Sequence, residues 1–244
     1  MNTAIMLALS IACTGCAFPW TVHHLSRPSA GKVILVRGLL GYWPGAVHLK
    51  RQLRRCGLES TNVIIGWETG SVACELEENA RCGVPQEPIV IVGYSLGAND
   101  AIKLCRMLDD AGIPVASLVL IECPYHDTIP PNVARCLNIY CSHPLTDWIP
   151  MFRGLPLRPE SCGTELENLD VRCDELCCAP WTHCHMTICA SHDVHDVVTD
   201  EINAAVSQWE EGGSDLGLDD GLCPDCQSAY DDVSVWDDDG SDEF

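Results

Sequence analysis

The chain has 244 residues, 47% of them hydrophobic, and a formal net charge of −21. That is enough apolar material for one α/β-sized globular domain with short additions, and too little length for two. Residues 211–244 hold twelve Asp or Glu and no Lys, Arg or His; the remainder keeps 23 acids against 14 bases, so no basic patch exists to meet a phosphate backbone, and nucleic acid is excluded as a partner.

The N-terminal residues 1–18 have the pattern of an export segment. Ala4 to Ala12 is apolar except for Ser10, too short to span a bilayer and long enough for a signal core. Thr14-Gly15-Cys16 follows, and this Gly–Cys junction resembles a bacterial lipoprotein cleavage site, with Cys16 as the residue to be lipidated. A cleaved secretory signal, an uncleaved anchor and a structural N-terminal segment are the other readings. The expected setting is outside the cytoplasm, as a cell-envelope lipoprotein or a secreted protein. Seventeen cysteines in an exported chain imply disulfides, with bridges expected among loop residues such as Cys162, Cys173, Cys177 and Cys178. Cys105, Cys123 and Cys136 fall on apolar faces of predicted elements, where a thiol serves as a small buried hydrophobe.

From Lys32 the pattern becomes that of alternating strands and helices. Lys32–Arg37 is a buried-strand run ending in Gly38-Leu-Leu-Gly41, and Ala46, Leu49, Leu53 and Cys56 mark a helix that stops at Gly57. Residues 62–67 predict a second strand, 72–82 a second helix, 89–93 a third strand and 96–109 a third helix. Further strands are expected at 117–122 and 136–141, followed by a long irregular loop over 142–164. A short last strand over 165–171 leads through a Cys/His-rich loop to a final helix over about 191–209, with Val194, Val197, Val198, Ile202, Val206 and Trp209 on one face. This alternation argues a mainly parallel sheet flanked by helices on both faces, one domain over 31–210. The stretch from Glu211, with Gly-Gly and runs of Asp, reads as a disordered acidic tail. Its Cys223-Pro-Asp-Cys226 lacks a partner pair, so an incidental disulfide or simple thiols outrank a redox or metal role.

The third strand carries the most informative motif. Ile89-Val-Ile-Val runs into Gly93-Tyr-Ser95-Leu-Gly97, and an amphipathic helix pattern starts at once. A strand that reverses directly into a helix crowds the turn residue, so only glycine fits two positions before and two after it. The serine takes a strained conformation, with its hydroxyl standing clear of the sheet edge. A serine nucleophile needs a base, an orienter for the base and donors for the oxyanion. In a parallel α/β sheet such groups gather beyond the carboxyl ends of the strands.

The elbow and the order of elements resemble the α/β-hydrolase fold, the likeness covering about residues 31–209. The resemblance implies a histidine after the last strand. His185, in His-Met-Thr-Ile, is similar to the His-x-x-Ile stretch ahead of the last helix in lipase- and thioesterase-like members. His183 is the next candidate, and His192 and His195 sit on the predicted helix, where a side chain more readily faces solvent. The acid is implied in the loop after the 136–141 strand, which selects Asp147. Members that place it one strand earlier would select Asp127, and Asp170 is a third choice. The oxyanion donors carry over to the backbone N–H groups of Leu39 and Leu96, with Arg37 standing where the family commonly has a histidine. The expectation is a serine hydrolase acting on carboxylic esters or thioesters, with no metal or organic cofactor and a small ester or lipid as substrate. Leu, Ile, Trp148, Met151 and Phe152 in the loops over the site suggest an apolar acyl group. Two rivals are a binding protein that kept the fold and a Cys/His metal protein built on the cluster from Cys173 to His195.

Overall fold

A computed structural model of the chain describes residues 31–141, 148–172 and 184–212. The export-like segment, Cys16, Asp147, Cys173, Cys177, Cys178, His183 and the tail from residue 213 lie outside the described residues.

Six strands form one parallel sheet. They are β1 (Lys32–Arg37), β2 (Ser60–Ile65), β3 (Ile89–Tyr94), β4 (Val115–Ile121), β6 (Val133–Tyr140) and β8 (Glu165–Asp170), in the spatial order β2-β1-β3-β4-β6-β8. Every neighbouring pair is parallel. Two short strands, β5 (Thr128–Ile129) and β7 (Arg158–Pro159), pair separately and had no signature in the hydrophobic pattern. Two residues are too few to show alternation. Between them the guanidinium of Arg106 ties Asp127, Thr128 and Glu160 together.

Parallel strands buried on both faces feed two cores by strict alternation. Val33, Leu35, Val90, Val92, Val119 and Ile121 face helices α1 (Ala46–Arg55) and α4 (His192–Gly212) through Leu49, Leu53, Val198, Ile202 and Val206. Ile34, Val36, Ile91, Leu118 and Leu120 face α2 (Thr69–Arg81) and α3 (Leu96–Asp110) through Val72, Leu76, Ala101, Ile102 and Leu108. The edge strand β8 is mostly exposed and carries Glu165, Glu167 and Asp170, charges that discourage pairing with another chain.

The strands and helices read from the sequence are all present, shifted by a few residues at their ends. Cys105, Cys123 and Cys136 are buried as expected, and burial pushes the Cys123 thiol up to about 12, which keeps it protonated and inert. Cys162 is exposed on the turn between β7 and β8. Because every connection from strand to helix emerges at the same end of a parallel sheet, the segments after β1, β3, β4, β6 and β8 converge there.

Truncating Ile91, fully buried in a central strand between β1 and β4, leaves a cavity that neighbouring strands cannot close. Ile91→Ala is expected to lower unfolding stability by about 2–5 kcal/mol, measured from the urea midpoint at unchanged slope.

Candidate active site

Ser95 sits between β3 and α3 with φ 55° and ψ −129°, in the left-handed region that L-residues avoid. The surroundings leave it no alternative. A Cβ on Gly93 would lie 2.6 Å from the Ala98 Cα, and one on Gly97 would lie 2.4 Å from the carbonyl oxygens of Val36 and Arg37. The glycines are therefore demanded by backbone contact, as the motif implied. The Ser95 N–H donates to the carbonyl of Ile121 at 2.9 Å, so the turn residue is also the last rung between β3 and β4.

The Ser95 Oγ lies 2.7 Å from His185 Nε2, and His185 Nδ1 lies 3.0 Å from Glu122 Oε2. Ser95, His185 and Glu122 are 6%, 4% and 0% exposed. An ionised carboxylate only accepts, so Glu122 places the imidazole proton on Nδ1 and leaves Nε2 as the acceptor for the serine hydroxyl. The second carboxylate oxygen accepts the backbone N–H of Cys141. A buried carboxylate with such partners avoids the cost of an uncompensated charge. Gly154 closes the cover: a Cβ there would lie 3.0 Å from Glu122 Oε1 and 2.5 Å from the Tyr140 Cβ.

The carboxylate that meets His185 is thus Glu122, which sequence reasoning read only as the end of a strand. Its position, one strand earlier than the loop of Asp147, is the one the alternative Asp127 was drawn from. Asp127 itself is engaged elsewhere, bonded to Arg106 at 2.7 Å and to the N–H of Thr128. Asp170 closes β8, where it accepts the N–H of Arg172. The available signal was the composition of residues 117–122: Ser-Leu-Val-Leu-Ile-Glu places one carboxylate directly after the apolar run Leu118–Ile121 that ends β4. Like Ser95, Glu122 has a positive φ, 58°, while its N–H still donates to Ile139. The turn at that point carries the side chain out of the strand's alternation and toward the histidine.

His185 precedes a short 3-10 turn at Ile188–Ala190. The Tyr94 hydroxyl donates to the His185 carbonyl at 2.7 Å, and burial raises the Tyr94 phenol far above its ordinary range, so it remains a donor. Phe152 meets the imidazole edge-on, with ring centroids 5.7 Å apart. His192 is exposed on α4. His195, also expected toward solvent, is instead 1% exposed, because it shares the stripe of Val198 and Ile202 that α4 turns to the sheet.

Leu39 and Leu96 line a cavity of about 580 Å³ together with Ser95, His185, Leu40, Tyr42, Met151, Phe152 and Met186. Among the described residues neither the Leu39 N–H nor the Leu96 N–H has a backbone acceptor. Leu40, at φ 53°, turns its side chain outward and is 89% exposed. Two orphan donors on an apolar cavity wall, beside a serine hydroxyl, suit an oxygen that gains negative charge. Among the described residues no group of three or more His, Cys, Asp or Glu is arranged to hold a metal ion.

The architecture is α/β-hydrolase-like: a mainly parallel sheet, helices on both faces, a serine elbow after a central strand and a histidine after the last strand. No family model matches the chain, and no curated protein matches it. Among solved structures, a cutinase-like protein from Cryptococcus sp. is 13% identical, with a TM-score of 0.40, over 73% of this chain and 97% of its own. The NocB thioesterase domain from the nocardicin cluster is 13% identical, with a TM-score of 0.41, over 72% and 95%. The RedJ thioesterase of the prodiginine pathway in Streptomyces coelicolor is 11% identical, with a TM-score of 0.40, over 76% and 98%. At such low identity the chemistry has to be read from the site itself.

Burial, first, and the neighbouring His48 and His192 lower the His195 pKa below its ordinary value, against the Cys189 carbonyl and Asp196, which raise it. As pH falls below about 6.5 the unfolded chain takes up this proton before the folded one does. Stability is therefore complete above that pH and declines as pH drops toward the lowered folded-state value. Urea midpoints between pH 7.5 and pH 5 are expected to fall, and less steeply in His195→Phe; an identical slope in the variant would remove His195 as the cause.

Proposed function

We propose that the protein is a serine hydrolase that cleaves carboxylic esters or thioesters through an acyl-enzyme. The observation that carries this reading is the continuous hydrogen-bond relay from Ser95 Oγ through His185 to Glu122, buried beneath an apolar cavity. It is the spatial signature of an activated nucleophile, recognised by geometry rather than by chain order.

Ser95 Oγ attacks the acyl carbon as its proton passes to His185 Nε2. The negative charge that develops on the former carbonyl oxygen is met by the N–H groups of Leu39 and Leu96, fixed donors that need no reorganisation. Glu122 stabilises the imidazolium without taking its proton. The tetrahedral intermediate collapses, the bond to the leaving oxygen or sulfur breaks, and Nε2 returns the proton to the leaving alcohol or thiol. Water then attacks the acyl-serine, with His185 as base, and releases the carboxylic acid.

Leu39, Leu40, Tyr42, Met151, Phe152 and Met186 make the cavity wall apolar, which favours a hydrocarbon acyl group over a charged one. We assign the substrate to apolar acyl esters or thioesters on that ground. The N-terminal Ala4–Ala12 run and Gly15-Cys16 support an exported or lipid-anchored setting for the same activity.

Fluorophosphonate labelling of intact protein is expected for the wild type and absent for Ser95→Ala and His185→Ala. Labelling of Ser95→Ala at the wild-type level would sink the proposal. Glu122→Gln keeps the shape of the acid but no longer selects the imidazole tautomer, so hydrolysis of a short-chain nitrophenyl ester should fall by roughly 10⁴-fold. Asp127→Asn should stay within a few-fold of wild type.

A further inference from the structure

The relay accounts for one side of the loop that carries His185. The other side rests on a pair of histidines that the proposed chemistry does not use. His195 Nε2 is 2.9 Å from the backbone carbonyl oxygen of Cys189, four residues after His185. The same oxygen accepts the indole N–H of Trp43 at 3.0 Å, so both its lone pairs are occupied. A carbonyl accepts only, which puts the His195 proton on Nε2 and leaves Nδ1 as an acceptor. His48 Nδ1, on α1, lies 3.3 Å from it and must be the donor. The ring centroids are 5.5 Å apart and the ring planes differ by 21°, so the two rings meet nitrogen to nitrogen, as the hydrogen bond requires.

The fit around this contact is tight. A Cβ on Gly45 would stand 2.2 Å from the Cys189 oxygen and 2.8 Å from the His195 ring, so the start of α1 closes on the contact only because residue 45 is glycine. The groups facing His195 are His48 from α1, His192 and Asp196 from α4, and Cys189 from the loop. Within the loop, Cys184 accepts the N–H groups of Thr187 and Ile188, which makes residues 184–190 one compact turn. A displacement of Cys189 is therefore passed to His185.

We propose that His195, hydrogen-bonded at Nδ1 by His48, is a positioning residue for the proposed reaction: it clamps the Cys189 carbonyl and so keeps His185 Nε2 within hydrogen-bond reach of Ser95. This rests on the serine-hydrolase reading for its catalytic consequence, while the structural clamp is observable without activity. Donor placement within a few tenths of an ångström governs such relays, and a shift of about 1 Å costs on the order of 10²-fold in rate.

The test compares His195→Phe, His195→Gln and His48→Ala in the full chain. Phe fills the space without a donor; Gln can donate from Nε2 to Cys189. Turnover of a nitrophenyl ester in His195→Phe should fall by roughly 10- to 100-fold with KM within two-fold of wild type, and His195→Gln should recover most of it. His48→Ala, at an exposed position, should lower turnover in the same direction. In parallel, the downfield proton signal of His185 Nδ1–H against Glu122 should shift or broaden in His195→Phe and return in His195→Gln. Equal losses in Phe and Gln, or an unchanged proton signal in His195→Phe, would overturn the clamp. A well-folded wild type that turns over no ester but shows the signal change would retain the clamp and reject the hydrolase reading instead.

Discussion

Two rungs of the parallel backbone ladder determine most of what is distinctive here. Ser95 N–H bonds to Ile121 and Glu122 N–H bonds to Ile139, each one residue past the end of its strand. Both residues have positive φ and both remain tied to the next strand over. The sheet thereby extends its rigidity into two turns that would otherwise be loops. A serine and a carboxylate placed in this way inherit the spacing of adjacent strands, and the His185 imidazole spans the gap between them. The strain at Ser95 is sustained by the packing of α3 on the sheet, through Gly93 and Gly97, whose neighbours leave no room for a side chain.

Burial converts this frame into an electrostatic device. The Glu122 carboxylate is fully enclosed, yet each of its oxygens has a donor. The segment after β6 supplies the enclosure, with Gly154 against the carboxylate and Phe152 against the imidazole. Excluding water strengthens each hydrogen bond in the relay and makes an unpartnered group correspondingly costly. Leu39 and Leu96 line the apolar cavity beside the relay, and among the described residues their N–H groups have no backbone acceptor. The arrangement has three layers: a sheet edge that sets positions, a cover that removes solvent, and a turn at 184–190 braced by Tyr94, Trp43 and His195.

How far the site was legible varies with how local each constraint is. The Gly93-x-Ser95-x-Gly97 elbow could be read because its demand, no Cβ two residues to either side, is written within five residues. His185 could be placed by its position between the last strand and the final helix. Glu122 was legible only as a lone carboxylate at the end of an apolar run, and that pattern looks the same whether the carboxylate faces solvent or an imidazole. The turn at φ 58° that decides between these is imposed by pairing with β6. His195 was misjudged for a related reason: helical periodicity assigns it to the stripe of Val198 and Ile202, but a histidine on a helix is most often exposed, and only the approach of His48 and Cys189 supplies its polar partners.

The sequence by itself determined the alternation of strands and helices, the two-faced burial of the sheet and the identity of the strained serine. Each of these follows from periodicity or from the steric limits of a few adjacent residues. Tertiary structure alone decided which carboxylate meets His185 and which histidine of α1 meets His195. Those outcomes depend on contacts between residues 63 to 147 positions apart in the chain, such as Glu122 with His185 and His48 with His195. No local pattern encodes them; they exist only once the parallel register has brought the strand ends together.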